Sequence, residues 1–256
     1  MSEAALRVVV TRPAAQAAAW VEGLRARAVD AVALPLIEIV PAADGAPLVA
    51  AWHGLPERSL VVFVSPNAVL HFFAARPTGS TWPASLAAAA PGAGTAQALR
   101  DAGIDAAAIV APASDARQFD SESLWQRLRD RDWTGARVLV VRGGGGRDWL
   151  TERLLEARAS VDRIDAYARA VPSLDADGRA ALDALVRADD VAWLFSSSQA
   201  IGHLEQLAGS GRWAAARAIA SHPRIASRAR QAGFGCVVEA GSGLDAVVAC
   251  LQSMRP

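Results

Sequence analysis

The sequence has no lysine, only two cysteines and a single tyrosine among its 256 residues. Its 26 basic residues are therefore all arginines, and they balance 26 acidic residues to a formal net charge of zero. A nucleic-acid-binding protein usually has a net positive charge or a basic run, and neither is present. We predict no nucleic-acid partner, and any anionic ligand must be bound by arginines placed locally.

Two cysteines are too few for a disulfide framework. Cys236 and Cys250 both lie in apolar patterns, which predicts small core residues in a reducing compartment. The first residues lack the basic start and apolar stretch of a signal peptide. No run reaches the roughly 18 apolar residues that a membrane span needs. These absences predict a cytoplasmic protein without a membrane partner.

Several kinds of catalytic chemistry also lack their sequence signals. The four histidines show no metal-ligand spacing among themselves or with cysteine. A Gly-x-Ser-x-Gly nucleophile elbow is absent. The sequence therefore predicts no metal, thiol or serine-triad site.

Short apolar runs alternate with helical stretches along the chain. The clearest apolar runs are residues 6–10, 60–64, 138–141, 191–195 and 235–238. Helical periodicity follows most of them, at residues 14–27, 95–101, 150–158 and 225–232. Continuous apolar strands between amphipathic helices indicate a parallel sheet that is covered on both faces. The predicted fold class is α/β.

The chain also repeats itself. Residues 6–13 match residues 136–143, and the helix at 95–103 matches that at 225–233, both at an offset of 130. Residues 62–69 match 194–201 at an offset of 132, and residues 120–124 loosely match 242–246. Any two α/β stretches look somewhat alike, but four matches in one order favour a tandem duplication.

Two segments at equivalent places in the repeat, residues 34–41 and 161–169, alternate apolar and polar residues in part. They would suit two extended strands that run between domains. Ordinary strands within each sheet would look the same, so both interpretations stay open.

Polar residues follow four of the predicted strands. They are Thr11-Arg12, Ser65-Pro66-Asn67, Arg142-Gly143 and residues 196–199. Ligands of parallel α/β sheets bind outside the carboxyl ends of the strands. A hydroxyl there can also cap the following helix, and a helix N-terminus favours anions, so the two roles are compatible.

The glycine-rich stretch 142–148 is the most unusual in the chain. Asp148 stands where a dinucleotide fingerprint needs its third glycine, and the ending of a phosphate loop is missing. Arg142, Arg147 and loop amides would suit a carboxylate, since arginine binds carboxylates bidentately. A flexible loop with solvated arginines is the alternative.

Tyr167, the only tyrosine, can donate a proton or a hydrogen bond to a leaving hydroxyl. It could equally fill a domain junction.

Eight short motifs, taken in order, resemble the uroporphyrinogen-III synthase family over essentially the whole chain. They lie at residues 10–13, 63–69, 92–96, 119–122, 141–147, 167–169, 195–198 and 221–226. The resemblance implies two similar, doubly wound parallel-sheet domains joined by a two-stranded linker. The first domain would be discontinuous, with residues 1–36 plus 171–256, and the second would span 38–164. The linkers would lie near 35–40 and 163–170, and the functional residues would face a cleft between the domains.

The resemblance also implies a reaction. Hydroxymethylbilane, a linear tetrapyrrole rich in carboxylates, would lose water and close to uroporphyrinogen III with its terminal ring inverted, in haem biosynthesis. Such a cyclising hydro-lyase needs no cofactor. We expect a monomer, with transient contact with the preceding enzyme of the pathway. The alternatives are a non-catalytic binding or sensor protein for a small anionic ligand and a nucleotide-dependent enzyme that uses the glycine-rich loop.

By analogy with the family, Tyr167 would assist departure of the hydroxyl, and hydroxyl side chains would bind substrate carboxylates. The predicted substrate-binding residues are Arg12, Ser65, Asn67, Thr95, Arg142, Gly143, Arg147, Ser197, Ser198, Ser221 and His222. Ile225 stands at the repeat position of Thr95, where relatives can have a hydroxyl. The repeat mate of Tyr167 is Ile37, which predicts an asymmetric site.

Overall fold

The computed structural model describes residues 6–112, 121–145, 148–241 and 243–253. The chain forms two compact units. Unit 1 contains Met1–Glu38 and Ala170–Pro256, and unit 2 contains Ile39–Arg169. Among the described residues, no helix has both the length and the apolar character needed to cross a membrane.

Strands and helices alternate along nearly the whole chain. In order they are β1 (Arg7–Val10), α1 (Ala14–Arg25), β2 (Ala31–Ala33), β3 (Glu38–Pro41), α2 (Ala46–His53), β4 (Leu60–Phe63), α3 (Pro66–Ala74), β5 (Ala87–Ala89), α4 (Ala93–Asp101), β6 (Ile109–Val110), α5 (Ser121–Leu128), β7 (Arg137–Gly143), α6 (Trp149–Glu156), β8 (Ser160–Ala170), α7 (Ala176–Arg187), β9 (Val191–Phe195), α8 (Ser198–Ala208), β10 (Arg217–Ala220), α9 (Pro223–Gln231), β11 (Cys236–Glu239) and α10 (Leu244–Ser253).

Unit 1 contains a five-stranded sheet in the order β2-β1-β9-β10-β11, and all of its pairings are parallel. Counted along the chain within this unit, that order is second, first, third, fourth, fifth. It is a doubly wound arrangement, in which the strand order reverses between β1 and β9. Ligand sites of such sheets lie beyond the carboxyl ends of the strands at this point.

Unit 2 contains a six-stranded sheet in the order β3-β8-β7-β4-β5-β6. Its pairings from β8 through β6 are parallel. Without the edge strand β3, this order matches that of unit 1 if β7 is set equivalent to β1 and β4 to β9. Those are the equivalences that the sequence repeat predicts. Each sheet thus draws strands from both halves of the repeat, and the predicted fold class is confirmed.

The chain passes from unit 1 to unit 2 within β3 and returns at the end of β8. These two strands are neighbours in the sheet of unit 2. The segments 34–41 and 161–169 therefore contribute the edge strand β3 and its neighbour β8 to that sheet. β8 has eleven residues and is the longest strand among the described residues.

The central strands β4 and β9 are apolar throughout because each sheet is covered on both faces. In β4, Val61 and Phe63 pack into one buried cluster of unit 2, and Leu60 and Val62 pack into another. Alternate strand residues point to opposite faces, so both sets need apolar side chains. Unit 1 buries an aromatic cluster that consists of Trp193, Phe195, Trp213 and Phe234.

Two helices end two residues before their periodicity predicts. α1 stops at Arg25 and α6 at Glu156, because Ala28 and Arg158 adopt left-handed backbone conformations with φ of 58° and 69°. A left-handed residue just beyond a helix ends it. Ala28 and Arg158 are repeat mates, so the duplicated halves share this turn despite unlike side chains.

The prediction that Cys236 lies in the core is wrong. Cys236 is exposed because β11 forms the edge of its sheet, whereas Cys250 is buried in α10. An apolar run alone does not distinguish an edge strand from a central one.

Candidate active site

Ser65 lies at the carboxyl end of β4, where the strand order of unit 2 reverses. It has extended backbone geometry and caps α3, because its Oγ accepts the Ala68 N–H at 3.2 Å. The same Oγ lies 3.0 Å from the hydroxyl of Tyr167. The geometry of Ser65 therefore permits both a capping role and a functional role.

Tyr167 is only 1% exposed, and its ring is enclosed by groups from three elements. Arg169, two residues further along β8, donates an Nη2 hydrogen bond of 3.1 Å to the phenol oxygen. The His71 ring from α3 stacks on the phenol ring with centroids 5.7 Å apart and an interplanar angle of 25°. Burial lowers the pKa of His71, which favours a neutral imidazole against the ring.

Gly143 of β7 lies against the Tyr167 ring and is the third group that encloses it. The pairing of β7 with β8 shifts register after Arg142, so that Gly143 lies opposite Tyr167 and Ala166 is the extra residue. A Cβ at Gly143 would lie 2.4 Å from Cζ of Tyr167. The next residue, Gly144, donates its N–H to the Tyr167 carbonyl at 2.9 Å. The missing side chain of Gly143 therefore makes room for the tyrosine ring.

Arg142 lies at the same end of β7, but two carboxylates already balance its charge. Its guanidinium pairs with Asp148 and, at 3.0 Å, with Asp165. Asp148 also pairs with Arg163 at 3.1 Å. Arg142 thus joins the two ends of the glycine-rich loop. Arg147 lies outside the described residues.

Two further predicted residues of unit 2 begin neighbouring helices. Asn67 is half-buried in the first turn of α3, and Thr95 is buried in the first turn of α4. α3 and α4 pack side by side, which brings their first turns to the same end of the sheet as Ser65.

In unit 1, Thr11 and Arg12 follow β1, at the point where the strand order of that sheet reverses. Thr11 is buried, and its Oγ1 donates a 2.7 Å hydrogen bond to the carbonyl of Leu194 in β9. Arg12 stacks its guanidinium 4.1 Å from the centroid of the Trp20 ring. Its remaining described contact is a 3.4 Å hydrogen bond from Nη1 to Gln16.

Arg12 is the repeat mate of Arg142, but among the described residues only Arg142 has carboxylates that balance its charge. Among the described residues, no carboxylate forms an ion pair with Arg12, and its buried Nε has no hydrogen-bond partner. Burial lowers its pKa from the ordinary value, although arginine stays charged in proteins. Arg12 therefore has donors available for an anion.

The remaining predicted residues lie at the starts of α8 and α9. Ser197 caps α8 by accepting the Gln199 N–H at 3.2 Å, and Ser198 is the half-buried first residue of that helix. His222 caps α9 because its Nδ1 accepts the Arg224 N–H at 3.1 Å. Ser221, just before it, is half-buried. Helix N-termini direct free amide groups and a positive dipole end toward an anion.

The structure thus brings Ser65, Gly143 and Tyr167 together in unit 2, and sequence reasoning missed two of their partners, Arg169 and His71. The alternation of β8 could have pointed to Arg169, since residues two apart on a strand share a face. Ile225 is 5% exposed and its repeat mate Thr95 is 4% exposed. Both positions are therefore buried, and unit 1 has an apolar side chain where unit 2 has a hydroxyl. Among the described residues, no cluster of three or more potential metal ligands occurs.

Residues 18–249 match the family model described as "Uroporphyrinogen-III synthase HemD". The chain belongs to the uroporphyrinogen-III synthase family. The uroporphyrinogen-III synthase of Salmonella typhimurium is 33% identical over 172 residues, which cover 66% of this chain and 68% of that protein.

Two solved structures resemble the fold of this chain. A mutant uroporphyrinogen III synthase from Thermus thermophilus has a TM-score of 0.60 and 18% identity, and covers 97% of this chain and 98% of its own. The uroporphyrinogen-III synthetase of Helicobacter pylori 26695 has a TM-score of 0.63 and 15% identity, with 98% and 100% covered. Both support the two-domain α/β fold.

Family membership confirms the resemblance found in the motifs. The enzyme is a cofactor-independent cyclising lyase that converts hydroxymethylbilane into uroporphyrinogen III, in haem biosynthesis. Its substrate is a linear tetrapyrrole.

Proposed function

We propose that Tyr167 assists departure of the substrate hydroxyl and that Ser65 is its partner in this step. One observation supports the proposal most strongly: the phenol of the only tyrosine lies 3.0 Å from Ser65 Oγ, where the sheet of unit 2 reverses. The phenol is buried, while Ser65 is half-buried and more accessible. Ser65 can therefore accept the phenol proton while it donates its own outward.

In this scheme the C–O bond of the hydroxymethyl group breaks as its oxygen receives a proton, and water leaves. The pyrrole nitrogen stabilises the resulting azafulvene-type cation. The substituted carbon of the terminal ring attacks this cation, which forms a C–C bond and a spiro intermediate. The older bond from that carbon to its methylene bridge then breaks, which leaves a second azafulvene-type cation at the bridge. The free carbon of the inverted ring attacks the bridge and then loses its proton, which restores the phenol. The atoms balance as one linear substrate giving one macrocycle and one water. Proton transfer of this kind contributes typically about 10²–10⁴-fold to a rate.

The substrate carboxylates need cationic and amide donors, and we assign the main cationic role to Arg12. Its Nε has no hydrogen-bond partner among the described residues and its guanidinium stacks on Trp20, so Arg12 has donors available for a carboxylate. The first turns of α3, α8 and α9 would add amide donors, with Ser198 and Ser221 beside them. Arg142 instead holds the glycine-rich loop, because Asp148 and Asp165 occupy its guanidinium.

The proposal is tested by turnover of freshly made hydroxymethylbilane by Tyr167→Phe. Phenylalanine keeps the ring and removes only the hydroxyl, so we expect kcat to fall by about 10² with activity still measurable. An unchanged kcat would remove Tyr167 from the mechanism. A monomeric state, a cytoplasmic location, transient contact with the preceding enzyme and the absence of nucleic-acid and membrane partners stay predictions.

A further inference from the structure

Arg169 contacts the phenol of Tyr167 in two ways. Its Nη2 lies 3.1 Å from the phenol oxygen, and its Cζ lies 5.4 Å from the ring centroid. Both residues lie on β8 two positions apart, so they project from the same face of the strand. In the part of the chain that the structure describes, no carboxylate lies within ion-pair distance of Arg169. Its half-buried guanidinium is therefore directed at the tyrosine rather than at an acid.

The direction of this hydrogen bond fixes the direction of the next one. A guanidinium can only donate, so the phenol oxygen must accept from Arg169. The single O–H of the phenol is then free to point at Ser65 Oγ, which already accepts the Ala68 N–H and can accept one bond more. The hydrogen bonds thus form a chain in which Arg169 donates to Tyr167 and Tyr167 donates to Ser65.

The charge of Arg169 acts in the same sense. When Tyr167 gives up its proton, negative charge develops on the oxygen of a buried side chain. A permanently charged donor at 3.1 Å stabilises the developing phenolate more strongly than it stabilises the neutral phenol. Such an interaction lowers the barrier without changing how tightly the substrate binds.

We propose that Arg169 is a positioning residue of the synthase reaction, which orients the Tyr167 hydroxyl toward Ser65 and stabilises the phenolate that forms. The inference rests on the proposed role of Tyr167. The rival role for Arg169 is direct binding of a substrate carboxylate, which would affect KM instead of kcat.

The test is a double-mutant cycle with Arg169→Met, Tyr167→Phe and the double variant, each assayed for kcat and KM. Arg169→Met should lower kcat about 10-fold or more, as expected for the loss of a charged hydrogen-bond donor, with KM changed less than about twofold. In the Tyr167→Phe background the same substitution should have little further effect, because its partner hydroxyl is absent. Arg100→Met is the matched control, since Arg100 is exposed and hydrogen-bonds Gln97 of its own helix.

Three results would overturn the inference: a parent-like kcat in Arg169→Met, a rise in KM as the main effect, or an equal loss of kcat in both backgrounds. The last result would mean that Arg169 supports the fold or binds substrate independently of the phenol. In each case a slow Tyr167→Phe would leave the role of Tyr167 intact. A parent-like Tyr167→Phe would instead contradict the proposed function itself.

Discussion

Gly143→Ala tests the architecture of the active site with a single added methyl group. The new Cβ would lie 2.4, 2.5 and 2.9 Å from Cζ, Cε2 and Cε1 of Tyr167. Comfortable carbon contacts need about 3.5 Å, so the ring must recede by about 1 Å. A shift of that size stretches the 3.0 Å and 3.1 Å contacts of the phenol with Ser65 and Arg169 beyond good hydrogen-bond length.

The backbone at Gly143 is not in the left-handed region, so the substitution adds steric overlap without backbone strain. Overpacking of this kind costs about 1–3 kcal/mol of folding free energy. We expect the unfolding midpoint to fall by roughly 2–4 °C for each kcal/mol lost. We also expect kcat to fall at least to the level of Tyr167→Phe, because the phenol is displaced.

Gly144→Ala is the matched control for this prediction. It adds the same methyl group one residue further on, where the nearest described atom is the Tyr167 carbonyl oxygen at 4.0 Å. Thermal unfolding and turnover of hydroxymethylbilane should therefore be close to those of the parent. Equal effects of the two substitutions, or a parent-like kcat in Gly143→Ala, would refute the reasoning that the glycine accommodates the ring.

Three further substitutions test other parts of the account. Arg12→Met should raise KM about 10-fold with a smaller effect on kcat, because it removes a charged donor for a substrate carboxylate; steady-state kinetics with a normal KM would contradict this role. Thr11→Val should lower the free energy of unfolding by about 1–3 kcal/mol in chemical denaturation, since it deletes the buried hydrogen bond to Leu194; no loss would mean that the bond contributes little. Burial lowers the pKa of His71 in the folded protein. As the pH falls below about 6.5, the unfolded chain therefore takes up a proton at His71 before the folded protein does, and the free energy of unfolding should decrease. His71→Phe, which keeps an aromatic ring against Tyr167, should lose less stability across that window, and an identical pH dependence of the two proteins would count against the assignment.

Much of the fold was predictable because its causes are local or repeated. Sheets covered on both faces require continuous apolar strands, and those runs stood out in the sequence. The offset of about 130 residues paired β1 with β7 and β4 with β9, which are the strands in equivalent positions of the two sheets. Even the left-handed turns at Ala28 and Arg158 obey this offset.

The details of the active site were not predictable in the same way. The place of Tyr167 against Gly143 depends on one extra residue, Ala166, in the pairing of β7 with β8. Such a bulge changes which residues face each other and leaves no clear periodic signal. Likewise, the sequence shows that Arg142 is charged, but its pairing with Asp165 follows from strand register.

The distribution of product isomers tests the central claim most directly. Without an enzyme, hydroxymethylbilane closes to the uninverted isomer I, so isomer III can only arise if the protein controls the ring closure. Chromatography of the products formed with this protein should show isomer III in excess over isomer I, formed faster than the spontaneous reaction. Isomer I alone, formed at the uncatalysed rate, would contradict the account.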